Sequence, residues 1–186
     1  NYKIDTAKLK NYIPNYNGFI DFEDHEIEVS IKNKKLSIKG AGSYLINTHL
    51  EKINYDIIKK DGNLKFQSKI SINKNPLNLE FLNYKKKENK NSTLFIDGEY
   101  QKDKTLLFKK ISLNHSKNIF LINNLSLSKD FKINYFKLID LNFINENKRK
   151  NEIFLKRDKK DYLVSSKIFD GSIFLDEILT GDNDEG

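Results

Sequence analysis

The chain of 186 residues has no cysteine, no methionine and no tryptophan, and only two prolines. Without cysteine there are no disulfides, no zinc-thiolate sites and no thiol nucleophile, and the redox compartment is left open. Without methionine the chain reads as processed, or as a piece of a longer protein whose upstream leader or anchor lies outside it. No stretch approaches the ~20 consecutive apolar residues that a spanning helix requires. Histidine is also scarce: His25, His49 and His115 stand far apart, without metal-helix spacing or carboxylate pairing.

No GxSxG, HExxH or glycine-rich phosphate loop occurs, so a non-enzymatic protein without cofactor or metal is expected. Asp182, Asn183, Asp184 and Glu185 begin like a calcium loop but lack the distal glutamate.

What is present is charge. The net charge is +7 and 32% of residues are charged. The bases are nearly all lysine, with Arg149 and Arg157 the only arginines. Arginine is the usual reader of phosphate and base edges, so no nucleic-acid partner is expected. Basic runs such as KKKENKN are interrupted by acids and read as solvated hairpin tips.

Hydrophobic residues, 38% of the chain, suffice for one domain's core. They alternate. In NLKFQSKISI, Leu64, Phe66, Ile70 and Ile72 fall on one face and Lys65, Gln67, Lys69 and Ser71 on the other, the period of a half-buried strand. EIEVSIK, KKLSIKGAGSYLI, LEKINYDIIK, LNLEF, STLFIDGEY, KTLLFKKISL, NIFLINNLSL, NEIFLKRD and YLVSSKIF read likewise, with Gly40 and Gly42 marking bends or bulges. FKINYFKLIDLNF predicts one unusually long strand whose Phe131, Ile133, Tyr135, Ile139, Leu141 and Phe143 share a face. The Asp24-His25-Glu26 cluster reads as a turn. Most connections are too short for parallel crossovers, so the strands are expected to form an antiparallel meander.

The organisation expected is an N-terminal linker or short helix (1–18), an all-β domain (19–169), a short C-terminal helix (170–180) and a tail (181–186). In SSKIFDGSIFLDEIL, Phe174, Leu175, Ile178 and Leu179 follow helical spacing, Asp170 or Ser172 can cap the start, and Gly181 can end it. An antiparallel sheet with one apolar face must cover it with a second sheet, by closing into a barrel, or with an apolar ligand.

The order of features from GAGSY (40–44) through INYDIIKKDGNLKFQSKISI, NPLNLEFLNYKK, NIFLINNLSLS and INYFKLIDLNFIN to NEIFLKRDKKDYLVSSKIFDGS and FLDEIL resembles the AsmA-like superfamily, in particular its YhdP/TamB-type envelope proteins. The closing phrase carries the most specific part, with Tyr162, Val164, Ser165, Lys167, Phe169, Asp170, Gly171, Ser172, Leu175 and Leu179. The resemblance implies an extended, curled antiparallel sheet forming a groove. It also implies a periplasmic setting, anchorage to the inner membrane by a segment outside this chain, and a part in moving phospholipid between inner and outer membranes. On this reading acyl chains lie in a groove lined by Leu64, Phe66, Ile70, Ile72, Leu94, Ile96, Ile133, Tyr135, Ile139 and Leu141, with lysines outside. A closed β-sandwich serving as a structural or adhesive module gives the same alternation without a lipid cargo.

Overall fold

The structure is a computed structural model that describes residues 3–5, 7–101, 105–129 and 131–171. Its architecture follows from tight turns between alternating strands. Asn33 (φ 51°) with Lys34 (φ 59°), and Asp61 (φ 50°) with Gly62 (φ 81°), place two successive residues in the left-handed region. That is the twist-matched geometry of a two-residue hairpin, and Asn and Asp tolerate it better than most side chains. These turns join β2 (Phe19–Lys32) to β3 (Lys35–Ile46), and β4 (His49–Lys60) to β5 (Asn63–Ser71).

Ahead of them, β1 (Lys3–Asp5) pairs with the first residues of β2, and a 3-10 turn (Ala7–Asn11) follows. After β5 come the short β6 (Leu77–Leu79), a 3-10 turn (Glu80–Leu82) and β7 (Tyr84–Lys86). The long strands resume with β8 (Ser92–Tyr100), β9 (Leu106–His115) and β10 (Asn118–Leu127). β11 (Ile133–Tyr135), β12 (Leu138–Ile144), β13 (Lys150–Asp158) and β14 (Asp161–Ile168) complete the series.

The main sheet runs β1-β2-β3-β4-β5-β8-β9-β10-β12-β13-β14, with β11 on β10, and every pairing is antiparallel. It is an open, curled meander, with β1 and β14 at its two margins. The other sheet among the described residues is the β6-β7 pair, so they form the expected open meander and not the alternative of a closed sandwich.

Several expectations are corrected. Residues 131–143 are not one strand. Tyr135 of β11 keeps the register of β12 on their shared partner β10, and the two strands are separated at Phe136 and Lys137, opposite the point where Asn124 of β10 takes a left-handed backbone (φ 50°). A period-two reading of one strand cannot sense a break in its partner. Phe136 leaves the pairing to lie against Tyr162, ring centroids 4.4 Å apart, and Phe131 is 75% exposed. LNLEF is a strand only as far as Leu79, where the chain enters the 3-10 turn.

Asp24-His25-Glu26 is not a turn but a bulge inside β2, opposite Gly42. Gly40 is regularly paired on both sides, whereas Gly42 pairs with Ile53 of β4 and marks the bulge on its β2 side, and both positions have rings lying on them. A Cβ would stand 2.2 Å from the Tyr55 ring at Gly40 and 2.3 Å from the His25 ring at Gly42.

The N-terminal segment, expected as a linker or short helix, holds the 3-10 turn and packs against β3. Ile13 and Tyr16 are buried with Tyr44 and Ile46. The expected helix and tail lie outside the described residues from Ser172 onward. Asp170 itself is held by the β12–β13 turn: Asn145 Nδ2 donates to Oδ2 at 2.8 Å and Arg149 pairs with Oδ1 at 3.0 Å.

Candidate apolar groove

Directly opposed residues in a sheet share a face, so the pairing registers assemble the site. Ile111, Ile122, Ile139, Leu155 and Val164 form one row across β9, β10, β12, β13 and β14, and Ile96 extends it into β8. A second row runs Ile53, Ile70, Leu94, Leu113, Phe120, Leu141 and Ile153. In a third, Val29, Ile38, Ile57 and Phe66 meet Phe108 and Leu125 across Gly98. There a Cβ on Gly98 would stand 2.7 Å from the Phe66 ring, and Phe66 and Phe108 meet edge to face at 5.9 Å. The rows run across the strands, along the length of the sheet. At ~4.8 Å per strand, a face about ten strands wide extends roughly 45 Å.

The opposite face carries a ladder of another kind. Glu28, Lys39, Asp56, Gln67, Asp97 and Lys110 stand opposite one another in succession. Cross-strand pairs of opposite sign keep this face solvated and leave the apolar rows as the side that needs cover.

The segment between β5 and β8 supplies part of that cover. This strap puts Leu82 and Tyr84 against Leu113, Phe120 and Phe143 in the main buried cluster. Tyr84 is 1% exposed and stacks edge to face on Phe120 at 4.7 Å and Phe143 at 5.9 Å. The strap is tied at both sides of the sheet. Asn78 N–H donates to the Tyr12 carbonyl at 2.8 Å, and Glu146 N–H donates to the Asn83 carbonyl at 2.9 Å.

Beneath it lies a polar anchor. Lys86, fully buried, donates through Nζ to the carbonyls of Asn75 (2.6 Å), Lys87 (3.1 Å) and Asn73 (3.2 Å). Burial disfavours its ammonium and lowers its pKa, while Glu51 pulls the other way. Glu51, also buried, accepts from the backbone N–H groups of Lys74 (2.5 Å) and Asn75 (3.2 Å). These bonds satisfy charges that would otherwise be costly to bury. The Tyr84 hydroxyl, its pKa pushed up to about 12 by burial, lies 2.5 Å from His115 Nδ1, which also takes the Asn118 amide at 3.4 Å.

Between strap and sheet is a cavity of about 600 Å³. Leu79, Phe81 and Leu82 form its strap side, and Ile111, Ile122, Ile139, Leu141, Leu155 and Val164 are among the sheet residues that line it. Ser166 is the one polar residue on its wall, and Phe169 closes a side. Apart from Ser166 the wall is aliphatic and aromatic. Among the described residues there is no group of three or more metal-ligating side chains, and no helix is long and apolar enough to cross a membrane.

Of the residues expected to line a groove, Ile139 and Leu141 line this cavity. Ile70, Leu94 and Ile96 share their rows, Ile72 packs beside the main cluster, and Phe66 lies in the third row. Leu64 and Ile133 belong to the outermost row, through Tyr100, Leu106 and Leu127, and Ile133 is 65% exposed. Tyr135 pairs with Ser126 and lies under the Arg157 guanidinium, 5.1 Å from the ring centre, so it is not in these rows. The strap residues were not anticipated as lining. Their apolar positions follow no single period, and only Pro76 with the failing alternation after Leu79 signals a departure from strand. No protein family, curated protein or solved structure matches this chain.

Proposed function

We propose that this chain is a segment of an AsmA-like periplasmic β-groove that binds phospholipid acyl chains and supports lipid transport between inner and outer membranes. One observation carries the reading: a continuous apolar face crossing an open sheet, covered over part of its extent by the strap, with a cavity whose wall is almost wholly apolar. An acyl chain is long, flexible and without polar groups, and such a wall recognises it by exclusion of water alone. A headgroup has no buried partner on this wall and would remain at the margin, where lysines are plentiful.

The test is native mass spectrometry of protein purified from a lipid-containing host. Wild-type protein is expected to carry phospholipid. Ile139→Glu, checked for folding by circular dichroism, is expected to lose about tenfold or more of it, since a carboxylate in the cavity is costly to bury. Lys65→Glu on the opposite face is expected to retain it. A wild-type protein that is folded and lipid-free would sink the proposal.

A further inference from the structure

Both margins of the sheet have long stretches with no strand partner among the described residues. β1 covers β2 only at Phe19–Asp21, so from Glu26 to Lys32 one side of β2 has no strand partner among the described residues. At the other margin, the outer side of β14 has none either. Each margin is apolar on the groove face: Val29 is 58% and Ile31 79% exposed on β2, and Val164 is 63% exposed on β14. Edges of this kind template further pairing unless charge, proline or bulges blunt them. Here the bulges fall outside the regular stretches. The β2 bulge ends before Glu26, and the β14 irregularity begins after Ser166.

We infer that β14 of one copy pairs with β2 of a second copy, head to tail, extending the sheet and its apolar rows from one molecule to the next. Strand direction permits it. From β2 to β14 the main path contains an even number of alternating strands, so a second copy in the same orientation presents β2 antiparallel to β14. Charge complementarity supports it. The β2 margin carries Glu26 toward one end and Lys32 at the other, and the β14 margin carries Asp161 and Lys167 in the order that an antiparallel partner needs.

Face and register then agree. With Val164 opposite Val29, Ser166 faces Ile27 and Asp161 faces Lys32, and Lys167 comes beside Glu26. The groove-facing residues of the two margins fall on one side, continuing the rows through the junction. Such an interface does not close on itself and generates an open array. The inference does not depend on what the groove carries.

The chain has no cysteine, so disulfide trapping reads the register directly. Ser30 and Leu163, both exposed and facing away from the groove, become direct partners in this register. Ser30→Cys and Leu163→Cys proteins are prepared separately, checked for native circular dichroism, mixed, and oxidised mildly. The mixture is expected to give about tenfold more linked dimer than either protein alone. Reversing Glu26 and Glu28 to lysine in the Ser30→Cys partner is expected to abolish that excess. The inference is overturned if Leu163→Cys alone links as well as the mixture, which would mean two-fold β14 pairing. It is also overturned if nothing links and wild-type protein sediments as a monomer at every concentration reached.

Discussion

The strapped part of the apolar face and its bare margins are built from the same alternation, yet they differ in nearly every physical consequence. Under the strap, Tyr84 and Phe143 are 1% and 2% exposed. At the β2 margin Ile27, Val29 and Ile31 stand in equally regular strand pairing and are mostly in solvent. Alternation decides which side of a sheet a residue occupies. Burial is decided by what crosses that side, and here a short irregular segment does so over only part of the width. Stability should therefore be concentrated under the strap, while the margins keep apolar surface available.

The sharpest way to break this comparison is to empty the strap's anchor. Tyr84→Ala removes a ring that contacts Phe120 and Phe143 and leaves a void that the rigid sheet beneath cannot fill. Loss of transfer energy plus the cavity is expected to cost about 3–5 kcal/mol, read as a fall in the urea midpoint. A loss below about 1 kcal/mol would mean that the strap rests on the sheet without holding it.

How much of this was legible in the sequence follows the same division. NLKFQSKISI announces β5, and the Asn33-Lys34 and Asp61-Gly62 turns carry side chains suited to hairpins, because those signals are local. Of the anticipated lining residues all but Tyr135 fall on or beside the apolar rows, since direction along a strand needs only parity. What was not legible depends on partners remote in sequence. Tyr84 meets His115, Lys86 finds its carbonyls, and Asn83 receives Glu146 across the sheet. Asp170, a plausible helix cap by sequence, is engaged by Asn145 and Arg149, residues no local rule connects to it.

A smaller effect should distinguish the strapped region by pH. His115 accepts from Asn118 at Nδ1 and is pressed toward its neutral form, first by burial and then by the charges of Lys86 and Lys90. Its folded pKa lies below the ordinary 6.5, so its contribution is complete above that value and is lost as pH falls through the folded pKa. Wild-type stability is expected to decline on going from about pH 7 to about pH 5 more steeply than that of His115→Gln, which keeps a neutral polar side chain. Equal slopes for the two proteins would remove His115 from the strap's energetics.

The smallest effect belongs at the margin, and its smallness is the point. Ile31 is 79% exposed, so only about a fifth of the ~1.5–3 kcal/mol that full burial of its side chain provides is at stake on replacement. Threonine keeps the branch at Cβ and hence the strand preference of the site. Ile31→Thr is therefore expected to shift stability by no more than about 0.5 kcal/mol, measured by the same urea titration. It removes apolar surface from the very edge that the second copy is inferred to meet. A protein unchanged in stability but weakened in head-to-tail linking would separate the two roles of one apolar face: folding is secured under the strap, and association is available at the margin. A loss comparable to that of Tyr84→Ala would instead show that the margin is already buried in the isolated molecule, and the contrast between the regions would collapse.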